Sequence, residues 1–334
     1  MAVPSRSRVV LTDISSRTWE HPTDRGALVA LRKLKGFDTV IRTMNGLVSE
    51  RATRLVLLGS AVRVDERQFP VAHRLLAEVG QVLDARELPE LYVVNDPTTN
   101  AVTIGMDKPV IVLNSGLVDL LDEEELRFVL GHELGHALSG HAVYRTLLMR
   151  LLHFSGLFSA LPLGGLGLRV IVAALMEWSR TSELSADRAG LLATQDPAVA
   201  LRVHMKLAGG GHLADLDAAS FLAQGAEYRA SGDLRDSFLR LTLVEQASHP
   251  FAVVRAAEAR RWVDGGEYTA ILGGAYPRRE EDAGAPVSEA ARQAAAHYAE
   301  SFARAQDALA GALRDLGGLV GVAKGWFDER FGRH

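Results

Sequence analysis

Residues 131–136 read Gly-His-Glu-Leu-Gly-His, the pattern HExxH, and the reading of the whole chain turns on them. Positions four apart lie on one face of a helix, so His132 and His136 can aim both imidazoles at one metal ion. Glu133 stands one step further on, beside that face. There a carboxylate can take a proton from an attacking water and later deliver it to a departing amine. Upstream, Asp122-Glu123-Glu124-Glu125 supplies a helix start. Asp122 can cap free amides, Glu125 can reach back in a capping box, and the acids suit the positive end of the helix dipole. The predicted helix runs from Asp122 through Phe128, Val129, His132 and His136 to about Arg150.

A catalytic zinc takes three protein ligands and keeps one position open. In the pattern HExxHxxGxxH the third ligand is a later histidine. Here Ser139 and Ala142 stand where that pattern needs Gly and His, and His141 misses by one residue. On a continuing helix His141 would lie about half a turn away from the face of His132, which makes it a structural or supporting residue. A later carboxylate is the other solution. Thr181-Ser182-Glu183-Leu184-Ser185-Ala186-Asp187 places Glu183 and Asp187 four apart on one predicted helical face. Glu183 would complete a His₂Glu site for one Zn²⁺ per chain, and Asp187 would hold a ligand imidazole by its other nitrogen. The plainer alternative is two solvated acids beside Arg180 and Arg188.

The rest of the 334 residues sets the frame. With 48% hydrophobic and 23% charged residues the chain is an ordinary globular one, long enough for one large domain or two modest ones. A net charge of −4 with no long basic run argues against a nucleic-acid partner. The absence of cysteine excludes disulfides, thiolate-bound zinc and a thiol nucleophile. Met1 to Thr12 carries Arg6 and Arg8 without a following apolar core, so it does not read as a signal peptide, and a cytoplasmic location is expected.

Periodicity divides the chain. Residues 1 to about 25 read as irregular, Leu28 to Leu58 as mostly helical, and Phe69 to Leu83 as an amphipathic helix. Leu91–Val94, Ala101–Gly105 and Val110–Leu113 read as three short strands of one small sheet. Residues 151–176 are the most apolar stretch, interrupted by Pro162, Gly164, Gly165 and Gly167. Neither half is long enough to span a bilayer. The stretch reads as a buried helical hairpin or, alternatively, as one that dips into a membrane or grips substrate. Helices are expected again from about Val199 to Trp262 and from 288 to about 314.

Taken together, the motifs resemble the M48 family of zinc peptidases, in the gluzincin group, which includes HtpX-like and CAAX prenyl proteases and soluble bacterial relatives. The resemblance covers about Val64 to Tyr276. It rests on Asn95–Ala101, Gly105, Ser115-Gly116-Leu117, the run from Asp122 to His136, Glu183 with Asp187, and Ser248-His249-Pro250 followed by Arg255. It implies an α+β, mainly helical, zincin-like fold with a small sheet flanking the active-site helix. It also implies that the strand around Asn100, Ala101 and Gly105 is an edge that can pair with an extended substrate. By the same resemblance His249 or Arg255 would stabilise the oxyanion, or His249 would cap the open position. Alternatively, His249 is an ordinary loop residue and Arg255 a surface ion pair.

The expected organisation is an N-terminal segment 1–63, a peptidase domain 64–277, a linker 278–287 and a C-terminal helical extension 288–334. The expected activity is a zinc endopeptidase acting on peptide or protein substrates, with Glu133 as general base and acid. Two alternatives stand beside it: a silent or latent zinc-containing scaffold, and a regulatory protease held peripherally on a membrane through 151–176.

Overall fold

Three apolar runs with β-branched residues form the sheet, and a fourth, two-residue strand joins them. In the computed structural model of the chain, which describes residues 7–34, 37, 50–153, 164–230, 251–283, 285 and 287–300, the strands are β1 (Val62–Arg63), β2 (Glu90–Val94), β3 (Ala101–Ile104) and β4 (Val110–Asn114). Their order is β1-β2-β4-β3. β2 and β4 run parallel, with Tyr92 opposite Val112. β1 pairs antiparallel with β2, and β3 antiparallel with β4, with Thr103 opposite Ile111. Among the described residues β3 is therefore an edge strand. Its side chains alternate as a half-buried strand requires, with Ala101 and Thr103 facing inward.

The remaining elements are helical, and the fold is α+β and mostly helical. In chain order they are α1 (Pro22–Arg32), α2 (Glu50–Ser60), α3 (Pro70–Val82), α4 (Ser115–Leu120), α5 (Glu123–Leu138), α6 (His141–His153) and α7 (Gly164–Thr194). They continue with α8 (Pro197–Gly209), α9 (Ala218–Ala230), α10 (Ala252–Asp264) and α11 (Glu267–Leu272). A last helix covers residues 289–300 of the described chain.

The main core lies between the sheet, α3, α5, α7, α8 and α10, around Leu75, Val79, Ile111, Leu113, Phe128, Leu130, Leu134 and Leu192. The N-terminal segment contributes Leu11, Ile14 and Trp19 to that same core. A second cluster joins α1, α6 and the first half of α7 through Ala27, Leu31, Leu147, Leu151, Ile171, Leu175 and Trp178. The apolar stretch after Arg150 thus has a packed base, formed by two helices held against α1. Among the described residues no helix is long and apolar enough to cross a membrane.

One expectation about these elements needs correction. The helix carrying HExxH does not continue to Arg150. It ends at Leu138, Gly140 adopts φ +70°, and α6 starts a new direction at His141. A left-handed residue cannot propagate a helix, and glycine adopts that conformation without a Cβ penalty. Gly164 opens the 31-residue α7 and Gly165 and Gly167 stand in its first turn, so the helix begins at these glycines; Pro162 lies outside the described residues. Glycine lowers helix propensity by only about 1 kcal/mol each, which tertiary packing can override.

Candidate metal centre

The helix that carries the motif begins as its sequence requires. Asp122 accepts from the Glu125 amide at 2.9 Å, and Glu125 accepts from the Asp122 amide at 2.9 Å, closing the capping box. Every residue from Glu125 to His136 is buried. Glu125 is itself neutralised by Lys206 at 2.6 Å and Arg202 at 3.3 Å. α7 lies antiparallel against α5 at very short range. A Cβ on Gly131 would stand 2.4 Å from that of Ala193, and one on Gly135 would stand 2.5 Å from that of Ala189. The glycines of Gly-His-Glu-Leu-Gly-His therefore let the two helices touch. That contact brings His132 opposite Asp187 and His136 opposite Glu183.

The His132, His136 and Glu183 side chains each offer a ligand atom, and these atoms all lie within 4.8 Å of one another. Glu183 spans the pair, with Oε2 3.3 Å from His132 Nε2 and Oε1 3.3 Å from His136 Nε2. Two ligands of a tetrahedral ion with bonds of about 2.0–2.1 Å are separated by roughly 3.3 Å. The donor set and its spacing thus fit a divalent metal.

Hydrogen bonds to each ring fix its tautomer. Nδ1–H of His132 donates to Asp187 Oδ1 at 3.0 Å, leaving Nε2 to face Glu183. His136 Nε2 accepts from Arg145 Nη1 at 2.6 Å, so its proton resides on Nδ1, 3.0 Å from His141 Nδ1. His141 in turn places Nε2 3.1 Å from Asp24 Oδ2. Asp24 also accepts from Trp178 Nε1 at 2.9 Å and from the Ser185 hydroxyl at 2.5 Å. A buried line thus runs from His136 through His141 to a carboxylate on α1. The turn at Gly140 makes it, by bringing His141 back onto His136.

Two arginines complete the cluster. Arg255 grips Asp187 with Nε at 2.7 Å and Nη2 at 2.6 Å, and places Nη1 3.1 Å from Glu183 Oε2. It is a buried bidentate partner rather than a surface ion pair. Arg145 Nη1 donates to Glu183 Oε1 at 2.9 Å as well as to His136.

These charges set the protonation of the site. Burial opposes charge on His132, but the Asp187 and Glu183 carboxylates outweigh it and push its pKa up to about 9. Burial and the Arg145 guanidinium hold His136 well below the usual imidazole range. Burial also works against an ionised Asp187, yet Arg255 holds its carboxyl below the usual range. One ligand imidazole is thus kept neutral and the other is protonated until a metal displaces the proton.

Glu133 is 2% exposed, with Oε1 3.9 Å from His132 Nε2. Its other oxygen, Oε2, lies 2.7 Å from the Thr103 hydroxyl on β3. Asn100, Ala101 and Gly105 lie on or beside the same edge strand. His249 lies outside the described residues.

Four contributors escaped the sequence reading: Thr103, Arg145, Asp24 and His204. His204 is buried against Phe128, with Nε2 3.7 Å from Asp187 Oδ2. A signal for Arg145 was available. Ser139-Gly140 is a turn dipeptide, and a turn there returns α6 to the motif. Thr103 and Asp24 reach the site only through packing of distant segments.

The profile of Peptidase family M48 matches residues 66–263. The chain is 35% identical over 269 residues to the plastoglobule-localized metallopeptidase 48, chloroplastic, of Arabidopsis thaliana, covering 79% of this chain and 77% of that protein. It is 30% identical over 180 residues to a protease HtpX homolog of Tropheryma whipplei (strain Twist), covering 46% of this chain and 62% of the relative. A protease HtpX homolog of Helicobacter pylori (strain J99 / ATCC 700824) is 41% identical over 66 residues, 19% of this chain and 21% of that one. No solved structure matches the chain.

Proposed function

The chain belongs to peptidase family M48 and is a protease, and from that premise we propose that it is a zinc endopeptidase whose metal is held by His132, His136 and Glu183. The observation that carries this reading is the convergence of those three ligand atoms within 4.8 Å, with the Glu133 carboxylate beside them. When bound, the zinc supplies Lewis-acid activation of a water and of the scissile carbonyl. Glu133 takes the proton of the attacking water and hands it to the leaving nitrogen. Asp187 holds the His132 ring by Nδ1, and His141 with Asp24 does the same for His136. Arg255 holds Asp187 and Glu183 rather than reaching for an oxyanion: its three nitrogens all face those two carboxylates. Substrate, a peptide or protein, adds to the edge of the sheet along β3, from Asn100 and Ala101 toward Gly105.

The test uses a peptide library blocked at both termini, so that only internal cleavage is read. Wild-type protein should cleave it, a chelator should abolish cleavage, and zinc should restore it. Glu133→Gln should keep the metal and lose cleavage. A Glu133→Gln protein that cleaves at the wild-type rate overturns the assignment of the base. His136→Ala should lose the metal, and full occupancy in that variant overturns the ligand set. A latent form is the second reading, favoured by burial: His132, the most exposed of the four, is only 4% accessible. It predicts zinc-bound protein that digests neither the library nor casein.

A further inference from the structure

We propose that Thr103 is a positioning residue for Glu133, its hydroxyl holding the base's carboxylate in place from the edge strand. The inference rests on the reading of Glu133 as the base and adds a residue to it.

Thr103 is wholly buried on the inward face of β3, opposite Ile111 of β4. A hydroxyl on such a face is destabilising unless it is bonded. Its Oγ1 lies 2.7 Å from Glu133 Oε2 and 2.9 Å from the Glu133 carbonyl oxygen. The hydroxyl has a single proton, and the carboxylate is the stronger acceptor of the two, because a bond to a charged oxygen is about twice as strong as a neutral one. The proton is therefore shared in a three-centre bond, with the carboxylate, at the shorter distance, taking the larger part.

Among the described residues, Thr103 is the one hydrogen-bond donor to the Glu133 carboxylate. The nearby cations are engaged elsewhere, Arg145 with His136 and Glu183, Arg255 with Asp187 and Glu183. Without the hydroxyl, the carboxylate has a free torsion and a close alternative in His132, whose Nε2 lies 3.9 Å from Oε1. A general base that turns away from the attacking water loses its rate advantage while substrate still binds.

Placement adds a second consequence. Among the described residues β3 pairs with β4 on one side only, so its other edge is the one that would take an extended substrate. The strand that would carry substrate backbone bonds also carries the aligner of the base. Side chains alternate along a strand, so the Thr103 side chain turns in to Glu133 while the backbone N–H and C=O lie in the plane of the sheet. One strand can thus set both substrate register and the orientation of the base.

The experiment compares metal-loaded wild type, Thr103→Val, which keeps shape and removes the hydroxyl, and Thr103→Ser, which keeps the hydroxyl and removes the methyl. On a blocked fluorogenic peptide, Thr103→Val should lower kcat about 10–100-fold with KM and metal content unchanged. Thr103→Ser should recover most of that loss. Thr103→Ala is the second hydroxyl-free variant should the valine protein not fold. An activity-independent measurement follows the melting of the metal-free proteins. Loss of the hydroxyl should lower the midpoint, and the drop should shrink by more than half in a Glu133→Ala background, where the carboxylate is absent. A hydroxyl-free variant with wild-type kcat, a loss that Thr103→Ser does not recover, a change confined to KM, or a melting drop equal in both backgrounds overturns the proposal. Wild-type protein that cleaves no peptide while the melting coupling holds overturns the peptidase reading instead, and with it the role of the contact in catalysis.

Discussion

Asp187 and Arg255 place a carboxylate and a guanidinium together out of water, 2% and 6% exposed. Neither ion would be stable there alone. Removing one partner of such a pair leaves an uncompensated buried charge and destabilises by about 3–5 kcal/mol, whereas removing both is far milder. Arg255→Met should therefore shift the urea midpoint strongly, and the Arg255→Met/Asp187→Asn double variant should recover much of that loss. Asp187 also holds the His132 ring, so Asp187→Asn should weaken zinc binding about 10–100-fold, read by competition with a chelator of known affinity. Equal zinc affinity in the two proteins would show that the bond to His132 Nδ1 does no orienting. Sequence spacing reaches this scale only where partners share an element. His132 with His136 and Glu183 with Asp187 are legible because four residues make about one helical turn. Arg255 entered through resemblance to a motif, with no geometry to say whether it faced solvent or Asp187. Thr103 and Asp24 carry no local signal: a threonine in a strand and an aspartate in the first turn of a helix are what those elements ordinarily contain.

Helix α5 works as an element because it approaches α7 without side chains between them. Gly131 meets Ala193, Gly135 meets Ala189, and Gly190 meets Phe128 in return, where an added Cβ would stand 2.9 Å from the ring. Gly135→Ala poses two opposed effects. Intrinsic helix propensity favours alanine by about 0.8–1.0 kcal/mol. Overpacking a close helix contact disfavours it by about 1–3 kcal/mol, and here the obstacle is the Ala189 methyl, which has no torsion to swing away. The difference is a net destabilisation of about 0–2 kcal/mol in urea unfolding, toward the upper end because the methyl cannot move aside. The more specific outcome concerns the metal, because parting α5 from α7 separates His136 from Glu183. Zinc affinity of Gly135→Ala should fall by at least tenfold, and an unchanged affinity would mean that the ligand geometry does not depend on this contact. Capping chemistry makes the start of α5 readable at Asp122, whereas its end at Leu138 carries no signal in the periodicity. The apolar pattern continues past Ser139-Gly140 into α6, and periodicity alone does not register a left-handed residue between two helices of similar character. The consequence was local but real. A continuous helix would set His141 on the far face, whereas the turn returns it to His136 Nδ1.

On the scale of the whole molecule, the N-terminal segment and the start of α1 tie distant parts together. Leu11, Ile14 and Trp19 fill the main core, His21 accepts the Thr23 amide while its own amide donates to Ser185, and Asp24 closes the line to His136. Ser15 and Arg279 bind this segment to residues 277–282. Two histidines in this fabric are kept uncharged. Burial and the neighbouring Arg188 lower His21 to about 4, although Asp24 opposes them. Burial lowers His204 to about 4 despite Asp187 beside it, with Arg255 and His132 working in the same direction as burial. In the unfolded chain both should titrate near 6.5. Above that pH they are neutral in both states and add nothing to the pH dependence. Below it the unfolded chain takes up protons that the native state refuses until about pH 4, so stability must fall as pH falls through that window. Together they would steepen the loss by up to about 2 kcal/mol per pH unit, less whatever water reaches His21. His132 opposes the effect only above about pH 6.5, so the fall is steepest between pH 6 and 5. The raised pKa of His132, about 9, gives stability that is complete below 6.5 and lost only as pH rises toward 9. Urea unfolding of the metal-free protein at pH 7, 6 and 5 should thus show a fall in midpoint. His21→Asn, which keeps a cap for α1, and His204→Gln should each flatten it, and both together should flatten it most. His136, also depressed, would account for the slope that remains in the double variant. A midpoint constant from pH 7 to 5, or a slope unchanged in both variants, would mean that these rings take up protons in the folded state as readily as in the unfolded chain.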